Sequence, residues 1–330
     1  MDPNVGTVRG ALPEGAGSPA AAARPPAAQR KPFARRAWDN RYLFILFLPG
    51  MLYFLVFRYI PIYGLAIAFK DYNFFDGIMG SPWVGFAVFK EVFASKGFWD
   101  VFRNTLGISL LQFAFGFPAP IVFALLLNEI TRLRAKKVFQ TISYLPHFVS
   151  WVILAGLFTQ FLSPSTGPVN VLIKALGGKP IYFMADTKWF VPVLVMTEVW
   201  KSIGWGSIIY LAAISSIDTE MYEAAEIDGA GRWARMRFIT LPSLAPTITV
   251  MLILAIGKLV NDNFDQIFNM YNPSVYKVAD VISTYVYRKG LEDMEYAYAT
   301  AVGLFKNVIA FAMVIGANKF ARRINGNGIW

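Results

Sequence analysis

Residues 220–242 read Glu220-Met221-Tyr222-Glu223-Ala224-Ala225-Glu226-Ile227-Asp228-Gly229-Ala230-Gly231-Arg232-Trp233-Ala234-Arg235-Met236-Arg237-Phe238-Ile239-Thr240-Leu241-Pro242, and a charge-free apolar run continues to Gly257. Residues 219–227 are good helix formers. Asp218 or Thr219 can cap the start, and acids follow in the first turn, where the helix dipole favours them. Gly229 and Gly231 end the helix. Arg232, Arg235 and Arg237 then meet the edge of the apolar run, and Pro242 falls in its first turn, where a missing N–H is tolerated. The pattern predicts a short polar helix lying across the ends of two apolar spans. Small Ala224, Ala225 and Ala230 let another protein approach closely, and Glu223 and Glu226 offer it charge.

Composition agrees with spans on either side. The chain of 330 residues is 56% apolar, 16% aromatic and only 16% charged, with a net charge of +10 and a mean hydropathy of +0.46. Soluble domains carry about 25% charged residues. A disordered chain is excluded, and a polytopic membrane protein with basic loops fits best. There is no Cys, which removes disulfides, thiolate metal sites and Cys nucleophiles. A lone histidine, His147, excludes paired-His metal motifs.

A helix needs roughly 20 apolar residues to cross a hydrocarbon core. Six segments qualify, predicting helices over 42–62, 105–127, 138–162, 189–214, 239–260 and 297–318. Residues 1–37 form a Gly/Ala/Pro tail that cannot offset its ordering entropy, and 326–330 form a short C-terminal tail. The tail has no signal-peptide h-region. Placing it inside puts 17 Lys/Arg in 87 residues of inner segments against 10 in 99 residues of outer ones. That asymmetry predicts cytoplasmic termini and a cytoplasmic loop at 215–238. Pro and Gly recur within the spans, as at Gly116, Pro118, Pro146, Gly204 and Pro246. Together they suggest broken helices around a cavity.

The loop resembles the EAA motif of ATP-binding-cassette importer permeases: Glu-Ala-Ala, three residues, Gly, nine residues, Ile, one residue, Leu-Pro. Glu223, Ala224, Ala225, Gly229, Ile239, Leu241 and Pro242 match every position and spacing. The Ile227-Asp228-Gly229-Ala230 version is similar to the carbohydrate branch. Asn40-Arg41-Tyr42-Leu43-Phe44, Phe69-Lys70-Asp71-Tyr72, Leu125-Leu126-Leu127-Asn128-Glu129 and Tyr144-Leu145-Pro146 extend the resemblance to LplB-type permeases, over about 38–325. These are similar to maltose and glycerol-phosphate permeases. The resemblance implies an all-α, six-span, type I importer permease bundle in a bacterial plasma membrane. It implies a non-enzymatic subunit that takes up oligo- or polysaccharides. Its coupling helix would dock on an ATPase through Glu223, Ala224, Ala225, Asp228, Gly229, Ile239, Leu241 and Pro242. The implied partners are a second homologous permease, two cytoplasmic ATPases, an extracytoplasmic sugar-binding lipoprotein and membrane lipid, with no nucleic acid. The chain has no phosphate loop of its own: Gly178-Lys179 is followed by Pro180 and Gly257-Lys258 lies in a span. No cofactor is expected here, and ATP-Mg belongs to the partner ATPase.

Charges inside spans usually face a bundle interior or a cavity. Glu198, Lys201, Ser202 and Trp205 form one helical stripe, and Lys258, Asn261 and Asp262 follow the next span. Together they are candidates for a sugar pathway, with Trp205 able to stack on a pyranose. The same residues also suit an internal Glu198–Lys201 ion pair, with Lys258 and Lys306 snorkelling or paired. His147, beside Pro146, suits a packed neutral imidazole. A rival function is an ion-coupled secondary carrier of sugars with sites at Glu198 and Asp262. An intramembrane enzyme has almost no chemistry left to it.

Overall fold

The computed structural model describes residues 40–260 and 262–325. The tails expected over 1–37 and 326–330, and Asn261, lie outside the described residues. The chain divides into two compact units, Met1–Ile60 and Pro61–Trp330. In the first, α1 (Arg41–Phe54) runs into a π turn, Leu55–Tyr59. Every residue from 41 to 60 is exposed, although nearly all are apolar.

The second unit is helical. Its main elements are α2 (Ala87–Ala94), α3 (Lys96–Gly116), α4 (Pro118–Asn128), α5 (Leu133–Tyr144), α6 (Trp151–Phe161), α7 (Pro168–Ala175) and α8 (Thr187–Ser215). They continue with α9 (Thr219–Ile227), α10 (Arg232–Arg235), α11 (Leu241–Gly257), α12 (Phe264–Met270), α13 (Ile282–Tyr287) and α14 (Tyr296–Asn325). Among the described residues the only extended pairing is an isolated bridge, Lys70 to Trp83.

The spine is α8, whose 29 residues make a rod about 43 Å long at 1.5 Å per residue. Its N-terminal half packs Phe190 and Leu194 on Leu154 of α6 and Ile267 of α12. Its C-terminal half packs Tyr210 and Ile214 on Ile121 and Ala124 of α4 and Leu244 of α11. A third core joins α2, α3, α13 and α14 through Val92, Phe98, Ile282 and Val302. Burying a side chain of this size contributes about 1.5–3 kcal/mol in water. Close approach between α4 and α8 requires Gly206, where a Cβ would lie 2.9 Å from Pro120.

Among the described residues, four helical runs are long and apolar enough to cross a membrane: Arg41–Phe69, Lys96–Asn128, Arg232–Gly257 and Tyr296–Phe320. A bent pair, Leu133–Phe148 with Trp151–Phe161, makes a fifth if it counts as one span. The helix α8 is not among them, because Lys188, Glu198 and Lys201 lower its apolarity.

The expected helix over 138–162 is therefore corrected to two helices bent by 105°. Pro146 lacks the N–H that would continue α5, a 3-10 turn forms over Leu145–Phe148, and Ser150 caps α6 by accepting from the Ile153 N–H. The helix expected over 105–127 starts earlier, at Lys96, and breaks at Phe117 ahead of Pro118. The one expected over 42–62 stays α-helical only to Phe54, and a 3-10 segment covers Ile60–Phe69. The one expected over 239–260 begins at α10, passes through a π turn at Met236–Thr240 and ends at Gly257. Pro242 explains that π turn: the Phe238 carbonyl has no N–H four residues on.

Candidate functional site

The short polar helix forms where the sequence placed it, as α9, capped by Asp218 accepting from the Glu220 N–H at 3.0 Å. Its end is a Schellman turn. The Ala230 N–H reaches the Ala225 carbonyl at 2.8 Å and the Gly229 N–H reaches that of Glu226 at 3.0 Å. Gly229 sits at φ +79°, which a residue with a Cβ rarely adopts. Glu223, Ala224, Asp228 and Gly229 are exposed, Ala225 is half-buried, and Ile227 is 87% exposed. Ile239 is half-buried in the π turn, and Leu241 and Pro242 open α11 on the surface. The motif thus splits into an exposed helix and the foot of the next span.

Two side-chain contacts join those halves. The Tyr222 hydroxyl bonds that of Thr240 at 2.9 Å, and Arg235 donates to Glu226 at 2.6 Å. Tyr222 and Glu226 are four apart and share a helix face. Glu226, expected to offer charge outward with Glu223, is thus engaged within the chain.

A cavity of about 480 Å³ lies between α3, α4, α8 and α11. Glu198, Ser202, Gln112, Lys258 and Asn263 supply its polar wall, and Phe113, Phe117 and Tyr210 supply rings. Glu198 accepts from the Asn263 amide at 2.7 Å, and Ser202 donates to the Glu198 carbonyl at 2.8 Å. Behind the wall, Gln112 donates to Gln266 at 2.9 Å. Gln266, fully buried, donates to the Leu194 carbonyl at 2.7 Å and to Thr197 at 2.9 Å. These groups satisfy one another, as buried polar groups must.

The remaining pathway candidates go elsewhere. Lys201 gives its ammonium donors to the carbonyls of Pro146 at 3.1 Å, His147 at 3.0 Å and Val149 at 2.5 Å. All three lie at the break in the helix; the Pro146 carbonyl also accepts from the Val149 N–H at 3.2 Å, and the ammonium supplies a donor to the other two. Among the described ion pairs none joins Lys201 to Glu198, so the internal pair entertained from sequence does not form. On the same face of α8, a Cβ at Gly204 would collide with the Ser143 carbonyl. Trp205 stacks on His147 with centroids 4.5 Å apart and planes 1° from parallel. One face of the indole proposed for a pyranose is therefore taken. Lys201 borders a second cavity of about 450 Å³, beside Asp265 and Asn269. Asp262, its side chain 1% exposed, pairs with Lys306 at 2.8 Å and accepts from the Ser283 N–H at 2.9 Å and from its hydroxyl. Lys306 is thus paired and does not snorkel.

Sequence reasoning missed Asn263, Gln266, Tyr222 and Thr240. The signal for the first two was a run of amides, Asn261, Asn263 and Gln266, just past a span. Nothing in one sequence links Tyr222 to Thr240.

Residues 116–326 match the family model described as binding-protein-dependent transport system inner membrane component. The chain is 46% identical over 291 residues to protein LplB of Bacillus subtilis (strain 168), covering 88% of this chain and 92% of that one. It is 42% identical over 292 residues to the polygalacturonan/rhamnogalacturonan transport system permease protein YteP of the same organism, covering 88% and 91%. It also superposes with a TM-score of 0.83, at 42% identity, on a chain of a bacterial alginate ABC transporter crystallised with an alginate pentasaccharide-bound periplasmic protein. That likeness covers 90% of this chain and 99% of the other.

Proposed function

The chain belongs to the binding-protein-dependent transport system inner membrane component family, and we propose that it forms half of the pathway through which an ATP-driven importer takes up acidic oligo- or polysaccharides. It is a permease subunit and not an enzyme. The observation that carries the coupling role is the Glu223–Pro242 element: every position of the motif lies on one exposed, glycine-capped helix or on the foot of the span that follows. An ATPase docked on Glu223, Ala224, Ala225, Asp228 and Gly229 would supply ATP-Mg chemistry for which this chain has no phosphate loop. The other partners are a second homologous permease, a second ATPase and an extracytoplasmic binding lipoprotein on segments 70–104, 163–188 and 261–298.

Six spans follow if the bent pair counts as one and α8, long enough at 29 residues, crosses with its charges turned inward. The basic asymmetry of the loops then supports cytoplasmic termini in a bacterial plasma membrane. Single cysteines at Ser215 and Ser165 test that orientation, since the chain has none of its own. An impermeant thiol reagent should label Ser165→Cys in intact cells and spare Ser215→Cys; the reverse pattern overturns it.

The sugar pathway runs past the cavity wall of Glu198, Ser202, Lys258, Gln112 and Asn263. The acidic class rests on the relatives, one named for polygalacturonan and one solved with alginate. It does not rest on a surplus of lysines, because Asp262 matches Lys306 and backbone carbonyls hold Lys201. The ion-coupled carrier reading has no support: Asp262, one of its ion sites, is already occupied. The test is uptake by the reconstituted complex of uronate and matched neutral oligosaccharides. ATP-dependent uptake that prefers uronates is expected. Uptake driven by an ion gradient without ATP overturns the importer reading, and equal uptake of both sugars overturns the acidic class.

A further inference from the structure

If an ATPase docks on α9, its movement must reach the cavity, and the route is open to inspection. The cavity is lined from α11 by Met251, Leu254 and Lys258, the last at the C-terminal cap of that helix. The docking helix α9 is separated from α11 by Gly229 and Gly231, two permissive backbone positions. A cap in the left-handed region with no neighbour within 4 Å of its Cβ position holds no side-chain packing that would transmit force. Along the backbone alone, α9 could pivot about this turn without moving α11.

Side chains close that gap at two places. Tyr222, half-buried, bonds Thr240, which is 3% exposed at the end of the π turn and donates on to the Arg235 carbonyl at 3.4 Å. Arg235 reaches back to Glu226 at 2.6 Å. The carboxylate is 72% exposed, so that ion pair is screened and contributes little. The hydroxyl pair is the more shielded of the two links.

We propose that Tyr222 and Thr240 are positioning residues for transport: their hydroxyl pair makes the docking helix and the foot of α11 one rigid body, so that displacement of the one moves the cavity wall carried by the other. Neither residue lines the cavity, and Tyr222 lies on a less exposed face of α9 than Glu223 and Ala224. This inference rests on the coupling role of α9 proposed above. Its signature differs from that of the docking residues. Loss of docking abolishes ATPase binding. Loss of the link leaves the ATPase bound and hydrolysing while transport falls behind.

The experiment uses the full complex in proteoliposomes, with Tyr222→Phe, Thr240→Val, the double variant and Thr240→Ser. Each is scored for ATPase co-purification and for saccharide imported per ATP hydrolysed. The two single variants should retain the ATPase and lose roughly 2- to 10-fold in saccharide imported per ATP, the factor corresponding to one hydrogen bond. The double variant should lose no more than either single one, and Thr240→Ser should match the natural chain. Unchanged import per ATP in Tyr222→Phe and Thr240→Val overturns the link while leaving the coupling role intact. Strict additivity in the double variant also overturns it. Failure of the natural complex to retain the ATPase overturns the coupling role itself, and the link with it.

Discussion

Two polar regions of the molecule, the α9 element and the seam around α8, are built in opposite ways. The α9 element is short, exposed and fixed by local rules: a cap, a Schellman turn and a proline. The polar seam around α8 is buried and assembled from residues far apart in sequence, such as Gln112 with Gln266 and Asp262 with Lys306. Local rules leave side chains such as Glu223 facing solvent, where a partner can use them. Long-range assembly consumes side chains internally, and several charges that looked available for substrate are structural.

That contrast is most exposed to failure at Lys306. Lys306→Met would strand Asp262, whose side chain is 1% exposed, and should cost about 3–5 kcal/mol, the usual penalty for orphaning a buried charge. Thermal unfolding of the purified chain checks this, and adding Asp262→Asn should restore most of the loss. A variant of normal stability that fails only in transport would place both residues in the pathway.

Lys201 gives the next largest effect. Lys201→Met takes the ammonium donor from the His147 and Val149 carbonyls, while Pro146 keeps the Val149 N–H, and should cost about 2–3 kcal/mol. Lys201→Arg, which keeps several donors, should cost less. If both variants unfold like the natural chain but lose acidic saccharide uptake, the ammonium serves substrate and not the break.

The smallest effect belongs to α9. Gly229→Val places a branched side chain at φ +79° and should cost about 1–2 kcal/mol, confined to the turn. Nothing crowds the added Cβ, so Gly229→Asn should be tolerated. Thermal unfolding should register little for either, whereas ATPase co-purification should fall for valine alone. Equal behaviour of the two variants would mean that the left-handed cap does not matter.

Legibility in the sequence follows the same division. The helix over 219–227, a cap at Asp218 or Thr219 and the glycine stop were all readable, because a cap needs only neighbours within a turn or two. The apolar runs were readable as helices because hydropathy is a local sum. The break at Pro146 was readable as a proline but not as a 105° bend, since what stabilises the bend is Lys201, 55 residues away. Glu198 lines the cavity between α3, α4, α8 and α11. Its partner Asn263 was not found, because a hydrogen bond across 65 residues leaves no periodic trace. Trp205 illustrates the limit: an exposed indole on a polar stripe suggests a sugar platform, and only the fold reveals His147 lying parallel against it.

The central claim is that the exposed face of α9 is where this permease meets its ATPase. The most direct measurement is co-purification of the ATPase with Glu223→Lys, together with substrate-stimulated ATP hydrolysis. Glu223 is exposed, so the substitution leaves the fold intact, while reversing a charge at a docked interface should weaken association by roughly 10-fold or more. The variant chain should insert and stay stable while losing its ATPase and its stimulated hydrolysis. Normal co-purification with normal stimulation would contradict it.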